Sequence, residues 1–205
     1  GEQDTVSRKI QKVKTLEELG AEVLVIGADV ANLEQMEAAI AQAYEHFGEI
    51  HGVIHGAGII GDNSFTLIQD TGKAECEMHF QSKVHGLFVL EKVLHGKDLD
   101  FCLLLSSVSC ILGGLGFAAY SAANLFMDAF ACLQNRTTTV PWISLNWEGS
   151  PIEKEERQNT DNQSTLTELF ITTTESVEVF KRIFSLKKLS QIAISLGDLQ
   201  ARINQ

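Results

Sequence analysis

Short apolar runs alternate with segments of helical period along this 205-residue chain. That alternation restricts the fold more than any other feature, because it calls for an α/β domain whose helices cross over between parallel strands. Five runs read as strands: Glu22 to Ala28, Ile50 to His55, Phe101 to Leu105, Trp142 to Trp147 and Ile192 to Leu196. Between them lie periodic segments. A first helix, capped by Asp4 and stopped by Gly20, carries Ile10, Val13, Leu16 and Leu19 on one face. Asn32 with Gln35 three residues on resembles a capping box. It opens a helix with Leu33, Met36, Ile40, Ala43, Tyr44 and Phe47 inward and Gly48 after it. A long helix over 74–94 presents Phe80, Val84, Leu87, Phe88 and Leu94, and further helices are expected over 117–133 and 175–186. Residues 149–170, polar from Gly149 to Thr165, are too long for a simple connector and read as a mobile lid over a site. With no repeat or low-complexity tract, residues 1–205 read as one domain.

Composition narrows the function classes. The net charge of −11 disfavours nucleic acid, whose phosphates need clustered Lys and Arg. No apolar stretch reaches the length of a membrane span, and the opening GEQDTVSRKIQ has no secretory core. Cys76, Cys102, Cys110 and Cys132 show neither CxxC pairing nor zinc-like spacing, which suits reduced thiols in the cytoplasm.

Open α/β sheets bind ligands at the carboxyl ends of their strands. Here those ends carry Asp29, the turn Gly56-Ala57-Gly58, and Ser106-Ser107. Tyr120 and Asn124 follow on one helix face, a turn apart, and Lys83 stands among apolar positions of the preceding helix. These groups match the needs of carbonyl reduction: a hydride donor, a proton donor for the nascent alkoxide and a polarising hydrogen bond. A tyrosine hydroxyl becomes a useful acid–base group only when a neighbouring cation favours its phenolate. Lys83 would be that cation, Ser107 would bind the carbonyl oxygen, and Asn124 would orient Lys83 or a bridging water. The small-residue turn would let a cofactor ring approach.

The run LLLSSVSCILGGLGFAAYSAANLFMDAFA, with QSKVHG upstream, resembles the ketoreductase domains of modular polyketide synthases, a branch of the short-chain dehydrogenase/reductase superfamily. Thirteen residues separate Ser107 from Tyr120 and twenty-four separate Lys83 from Ser107, as in that branch, and the motif is Tyr-Ser-Ala-Ala-Asn with the lysine on the earlier helix. GAEVLVIGADVAN, HGVIHGAGIIGD, WISLNWEG and ISLGDLQARI fit as well. The resemblance implies a Rossmann-like doubly wound parallel sheet, NADPH as cofactor, and as substrate a β-ketoacyl thioester on the phosphopantetheine arm of an acyl-carrier protein, among neighbouring synthase domains. It implies Tyr120, Ser107, Lys83 and Asn124 as the catalytic set. Asp29 and Val30 would line the adenine pocket, and Gly56, Ala57 and Gly58 with Lys83 and Tyr120 the rest of the cofactor. The family's stereochemical marker Leu-Asp-Asp reads Ile60-Gly61-Asp62 here, and the tryptophan of the opposite class is replaced by Leu112; the combination implies a D-configured hydroxyl.

Members of the family begin with a strand, a glycine-rich turn, a helix and a second strand, which this sequence does not contain. In the order 3-2-1-4-5-6 those two strands belong between 22–28 and 50–55, which would otherwise stand roughly 14 Å apart with unpaired edges. The expectation is that another segment of the same domain fills the gap. Competing readings remain. Gly114-Leu115-Gly116 with Ala119 imitates a dinucleotide fingerprint but reads better as a loop at the substrate entrance. His55 and His85 read as packed or surface histidines rather than bases. The chain as a whole could instead be a non-catalytic scaffold or a stand-alone dehydrogenase.

Overall fold

The computed structural model describes residues 2–59, 65–148, 171–186 and 189–204. Helix α1 (Glu2–Glu18) leads into an extended segment, and α2 (Leu33–Phe47) precedes strand β1 (Gly52–His55). Next come α3 (Lys73–Phe80), a π turn (Gln81–His85), α4 (Gly86–Leu94) and β2 (Phe101–Ser107). The short α5 (Ser109–Leu112), α6 (Ala118–Thr137), β3 (Trp142–Trp147), α7 (Thr173–Ser185), β4 (Gln191–Ala193) and α8 (Leu199–Ile203) complete the order.

The four strands pair in sequence order, β1-β2-β3-β4, all parallel. Parallel strands cannot be joined by tight hairpins, so a helix crosses over between each. Side-chain alternation along β2 divides the core in two. Cys102 and Leu104 face α4 and α6, where Leu87, Leu90, Met127 and Phe130 meet them, with Leu33, Met36 and Ile40 of α2 behind. Leu103 joins Ile143, Leu145 and Ile183 on the other face, under α7. Both faces of a parallel sheet are thereby covered, which is why these strands read as continuous apolar runs rather than alternating ones.

Several local expectations need correction. Residues 22–28 form no strand: Leu24 and Val25 are exposed, and the segment pairs with no strand among the described residues. An extended run becomes a strand only when a neighbour takes up its backbone groups. Gly20 does end α1, at φ 92°, yet Ile10, Leu16 and Leu19 on its apolar face are exposed, as is Phe47 at the end of α2. Asn32 caps α2 by accepting from the Gln35 amide, but the Gln35 side chain reaches past it to the Asp29 amide at 2.7 Å. Ser106 and Ser107 lie inside β2 rather than beyond it, because Asn146 and Trp147 extend β3 alongside them. Helix α8 was not legible in the sequence. The lid expected over 149–170 and the marker residue Asp62 lie outside the described residues.

Candidate active site

The long helix expected over 74–94 is interrupted where it matters. At Gln81–His85 the chain makes a π turn, with the Gly86 amide bonded to the Gln81 carbonyl. Such a turn adds a residue to the helical repeat and re-aims the side chains within it; it occurs disproportionately at functional positions. The result is that Lys83, 5% exposed, points inward, whereas Phe88 of the expected apolar face is 46% exposed. The Lys83 ammonium donates to the Leu105 carbonyl at 3.2 Å and lies 3.7 Å from the Met127 sulfur. It also sits 5.8 Å from the centre of the Tyr120 ring. Burial pulls its pKa from 10.5 down to about 8, with Cys110 and Asp128 pulling the other way.

Tyr120 occupies the first turn of α6, where an aromatic collar holds its ring. Phe65, His79 and Phe117 meet it edge-on at 5.6, 5.6 and 5.8 Å. Asn124, one turn later, donates from Nδ2 to the Tyr120 carbonyl at 2.8 Å, and its buried Oδ1 has no hydrogen-bond partner. Ser107 closes β2. Its hydroxyl accepts the Ser109 amide at 3.1 Å, and its carbonyl accepts Asn146 Nδ2 at 3.1 Å. Lys83 lies 5.8 Å from the Tyr120 ring, Asn124 touches the Tyr120 backbone, and Ser107 ends the strand whose Leu105 carbonyl holds Lys83.

The small-residue turn after β1 has a role beyond leaving space for a ligand. A β-carbon on Gly58 would come within 3.1 Å of Lys83 Cε and 3.5 Å of its Nζ. The missing side chain therefore leaves room for the lysine itself. Gly58→Ala is expected to push the flexible end of Lys83 aside, slowing roughly tenfold any reaction that uses that ammonium while the melting temperature stays nearly unchanged. Thermal unfolding and initial rates on the same variant check both halves. Gly56 serves packing, since a β-carbon there would meet Leu105 at 3.2 Å; Ala57 is half-buried between them.

Asp29 and Val30 stand before α2. The exposed Asp29 carboxylate accepts the Ala31 amide at 2.9 Å. Val30 packs where a β-carbon on Gly86 would sit 3.0 Å away, so the pair flanks the π turn rather than the tyrosine. Leu112 ends α5, half-buried. The loop after it, Gly113 to Phe117, forms with Leu67, Ile68 and Ser121 an open, mainly apolar cleft of about 450 Å³. The fingerprint-like Gly114-Leu115-Gly116 therefore borders a cleft next to Tyr120 and heads no phosphate-binding helix turn from a strand.

Of the two histidines beside glycines, one is packed and one lies on the surface. His55 is buried beside Lys83, and burial first and that cation second lower its pKa to about 4, so it stays neutral. His85 pairs with Glu77 on the surface at 2.9 Å. The thiols of Cys102 and Cys110 are pushed up to about 12 and about 11 by burial, which leaves them unreactive. Among the described residues no His, Cys, Asp or Glu group could hold a metal ion, and no helix is long and apolar enough to cross a membrane.

Sequence reasoning overlooked a buried polar cluster behind the site. Asp128 of α6 accepts from Ser144 at 2.5 Å, from Asn146 at 2.9 Å and from Gln191 at 3.1 Å. Asn146 passes on to Ser106 Oγ at 3.1 Å, and Ser106 in turn donates to the Asn124 carbonyl at 3.3 Å. Two signals pointed there: a polar Asn within the apolar run WISLNW, and an Asp four residues beyond Asn124 on the same helix face.

Comparison with known proteins identifies the family and the fold. The family model of the KR domain matches residues 2–150. Polyketide synthase PksL of Bacillus subtilis (strain 168) is 35% identical over 128 residues, 62% of this chain and 3% of its own length. An N-terminal ketoreductase from the macrolactin assembly line superposes with a TM-score of 0.78 at 28% identity, over 96% of this chain and 38% of that one. A ketoreductase domain from the bacillaene assembly line gives 0.75 at 29% identity, over 96% of this chain and 48% of that one. The chain thus spans less than half of either solved ketoreductase and a few per cent of the synthase.

Proposed function

Because this chain belongs to the KR-domain family, the ketoreductases of polyketide synthases within the short-chain dehydrogenase/reductase superfamily, we propose that it carries the acid–base half of a β-ketoacyl reductase. The observation that supports this most is the buried Lys83 ammonium set toward the Tyr120 ring by a π turn, with Gly58 leaving it room. Burying a lysine opposes folding unless something is gained. A scaffold would gain nothing from it.

The residues fit a nicotinamide dinucleotide. The turn 56–58 presents backbone almost bare of side chains beside Lys83, and the buried Asn124 Oδ1 awaits a donor. Asp29 and Val30 would take the adenine end, and Gly56, Ala57, Gly58, Lys83 and Tyr120 the remainder. When bound, NADPH supplies the hydride. The chain's residues do the rest. Ser107 Oγ hydrogen-bonds the ketone oxygen, Tyr120 gives its proton to the developing alkoxide, Lys83 stabilises the phenolate left behind, and Asn124 holds Lys83 or a bridging water in place.

The substrate we propose is a β-ketoacyl thioester on the phosphopantetheine arm of an acyl-carrier protein, its acyl part lying in the cleft beside Gly114 and Phe117. Leu112, in place of a tryptophan, and Asp62 favour the D-configured hydroxyl. We further propose that a strand–helix–strand segment of the same domain pairs with the edge of β1 that is unpaired among the described residues, where Ile54 is 52% exposed, and covers Val25 and Leu19. The test uses the complete synthase polypeptide with NADPH and a β-ketoacyl N-acetylcysteamine thioester. Consumption of NADPH with formation of the D-hydroxyacyl product is expected. Absence of reduction would sink the activity, and an L product the stereochemical assignment.

A further inference from the structure

Two opposite charges are buried near each other without touching. Asp128 is 7% exposed and, among the described residues, receives hydrogen bonds from the Ser144 hydroxyl, the Asn146 and Gln191 amides and the Cys110 thiol, all uncharged. Lys83 is 5% exposed, and its hydrogen bonds go to the Leu105 carbonyl and the Met127 sulfur, Met127 being the residue just before Asp128. A carboxylate held by neutral donors alone is expensive to bury unless its charge has use nearby. The same carboxylate holds Asn146, whose amide touches both Ser106 Oγ and the Ser107 carbonyl. One side chain therefore reaches the neighbourhoods of Lys83, Ser107 and, through Ser106, Asn124.

We propose that Asp128 is a positioning residue for the reductase: its fixed negative charge keeps Lys83 protonated, and its hydrogen bond to Asn146 fixes the end of β2 on which Ser107 stands. This rests on the reading of Lys83 as the cation that activates Tyr120. Geometry and electrostatics agree, for Asp128 is among the groups that raise the Lys83 pKa against the stronger effect of burial. The other titratable groups facing Lys83 are His55 from β1, neutral at working pH, Cys110 from α5, protonated, and Tyr120 from α6. Among these facing groups Asp128 is the one carboxylate.

Asp128→Asn is a clean probe because the amide can keep the network. Its oxygen can accept from Asn146 and Gln191, and its NH2 can donate to the Ser144 hydroxyl, which turns to accept. In the complete synthase polypeptide, the variant is expected to lose about tenfold in kcat at pH 8 with KM nearly unchanged. The alkaline limb of its pH–rate profile should move about one pH unit toward acid, because Lys83 loses its proton earlier. Ser144→Ala removes one hydrogen bond and no charge, so its limb should stay in place while its melting temperature falls. An Asp128→Asn limb that coincides with wild type would overturn the proposal, leaving Asp128 a merely structural group. Should Asp128→Asn fail to fold, Asp128→Glu, which keeps the charge and displaces it, must show a limb shifted toward acid from wild type; a wild-type limb with reduced kcat refutes the electrostatic role. A Tyr120→Phe control separates the outcomes, since retained activity there condemns the reductase reading itself.

Discussion

Tyr120→Phe should reduce ketoreduction by the complete synthase about 10²- to 10⁴-fold, the range a positioned proton donor contributes. The substitution deletes one oxygen and nothing else. The phenyl ring keeps its edge-on contacts with Phe65, His79 and Phe117, and the Asn124 side chain bonds the backbone carbonyl of residue 120, which is unchanged. The variant should keep its fold, which thermal unfolding checks. NADPH binding, followed by fluorescence, should survive better than turnover, followed by NADPH absorbance with a β-ketoacyl thioester. A variant that still reduces the ketone at more than a tenth of the wild-type rate would show that another group delivers the proton. His79, edge-on to the same ring, would then be the first to examine.

What the sequence made legible follows from which interactions are local. The strands β2 and β3 were readable because both faces of a parallel sheet are covered, so Phe101 to Leu105 and Trp142 to Trp147 are apolar without interruption. Helix α2 was readable from its ends, Asn32 and Gly48, which act through bonds a few residues long. Residues 22–28 misled for the opposite reason. Their apolar character anticipates neighbours that the described residues do not provide, and an unpartnered extended run stays exposed. The site divides in the same way. Ser107, Tyr120, Asn124 and Lys83 could be named from residue type and spacing, but how Lys83 comes to face inward could not. Nothing in QSKVH announces the π turn that the structure shows there. The Asp128 cluster escaped notice because it joins α6, β3 and β4 across intervals of 16 to 63 residues. Its members carry meaning only once the sheet has brought them together.

Lys83→Met should pull function and stability in opposite directions. Methionine matches the lysine stem in length and suits a site already in contact with the Met127 sulfur. Without the ammonium, the Tyr120 phenolate loses its stabilising charge, and turnover should fall by about 10²- to 10³-fold. Stability moves the other way, and the sign follows from proton linkage. In the folded chain Lys83 titrates at about 8, against 10.5 when exposed. Between those two values the unfolded chain binds the extra proton, so wild-type stability climbs as pH rises from 8 to 10.5. Below pH 8 the folded state bears the full cost of a buried charge, on the order of 3 kcal/mol. Loss of the bond to the Leu105 carbonyl offsets part of the gain, leaving the Met variant about 1–2 kcal/mol more stable than wild type at pH 7. Denaturant unfolding at pH 7 and pH 10 checks this, because the wild-type stability should rise between the two while the variant's rise is smaller. A variant that is both less stable at pH 7 and unaltered in its pH slope would mean that Lys83 is comfortable where it lies. The claim that its burial is maintained against stability for the sake of Tyr120 would then have no support.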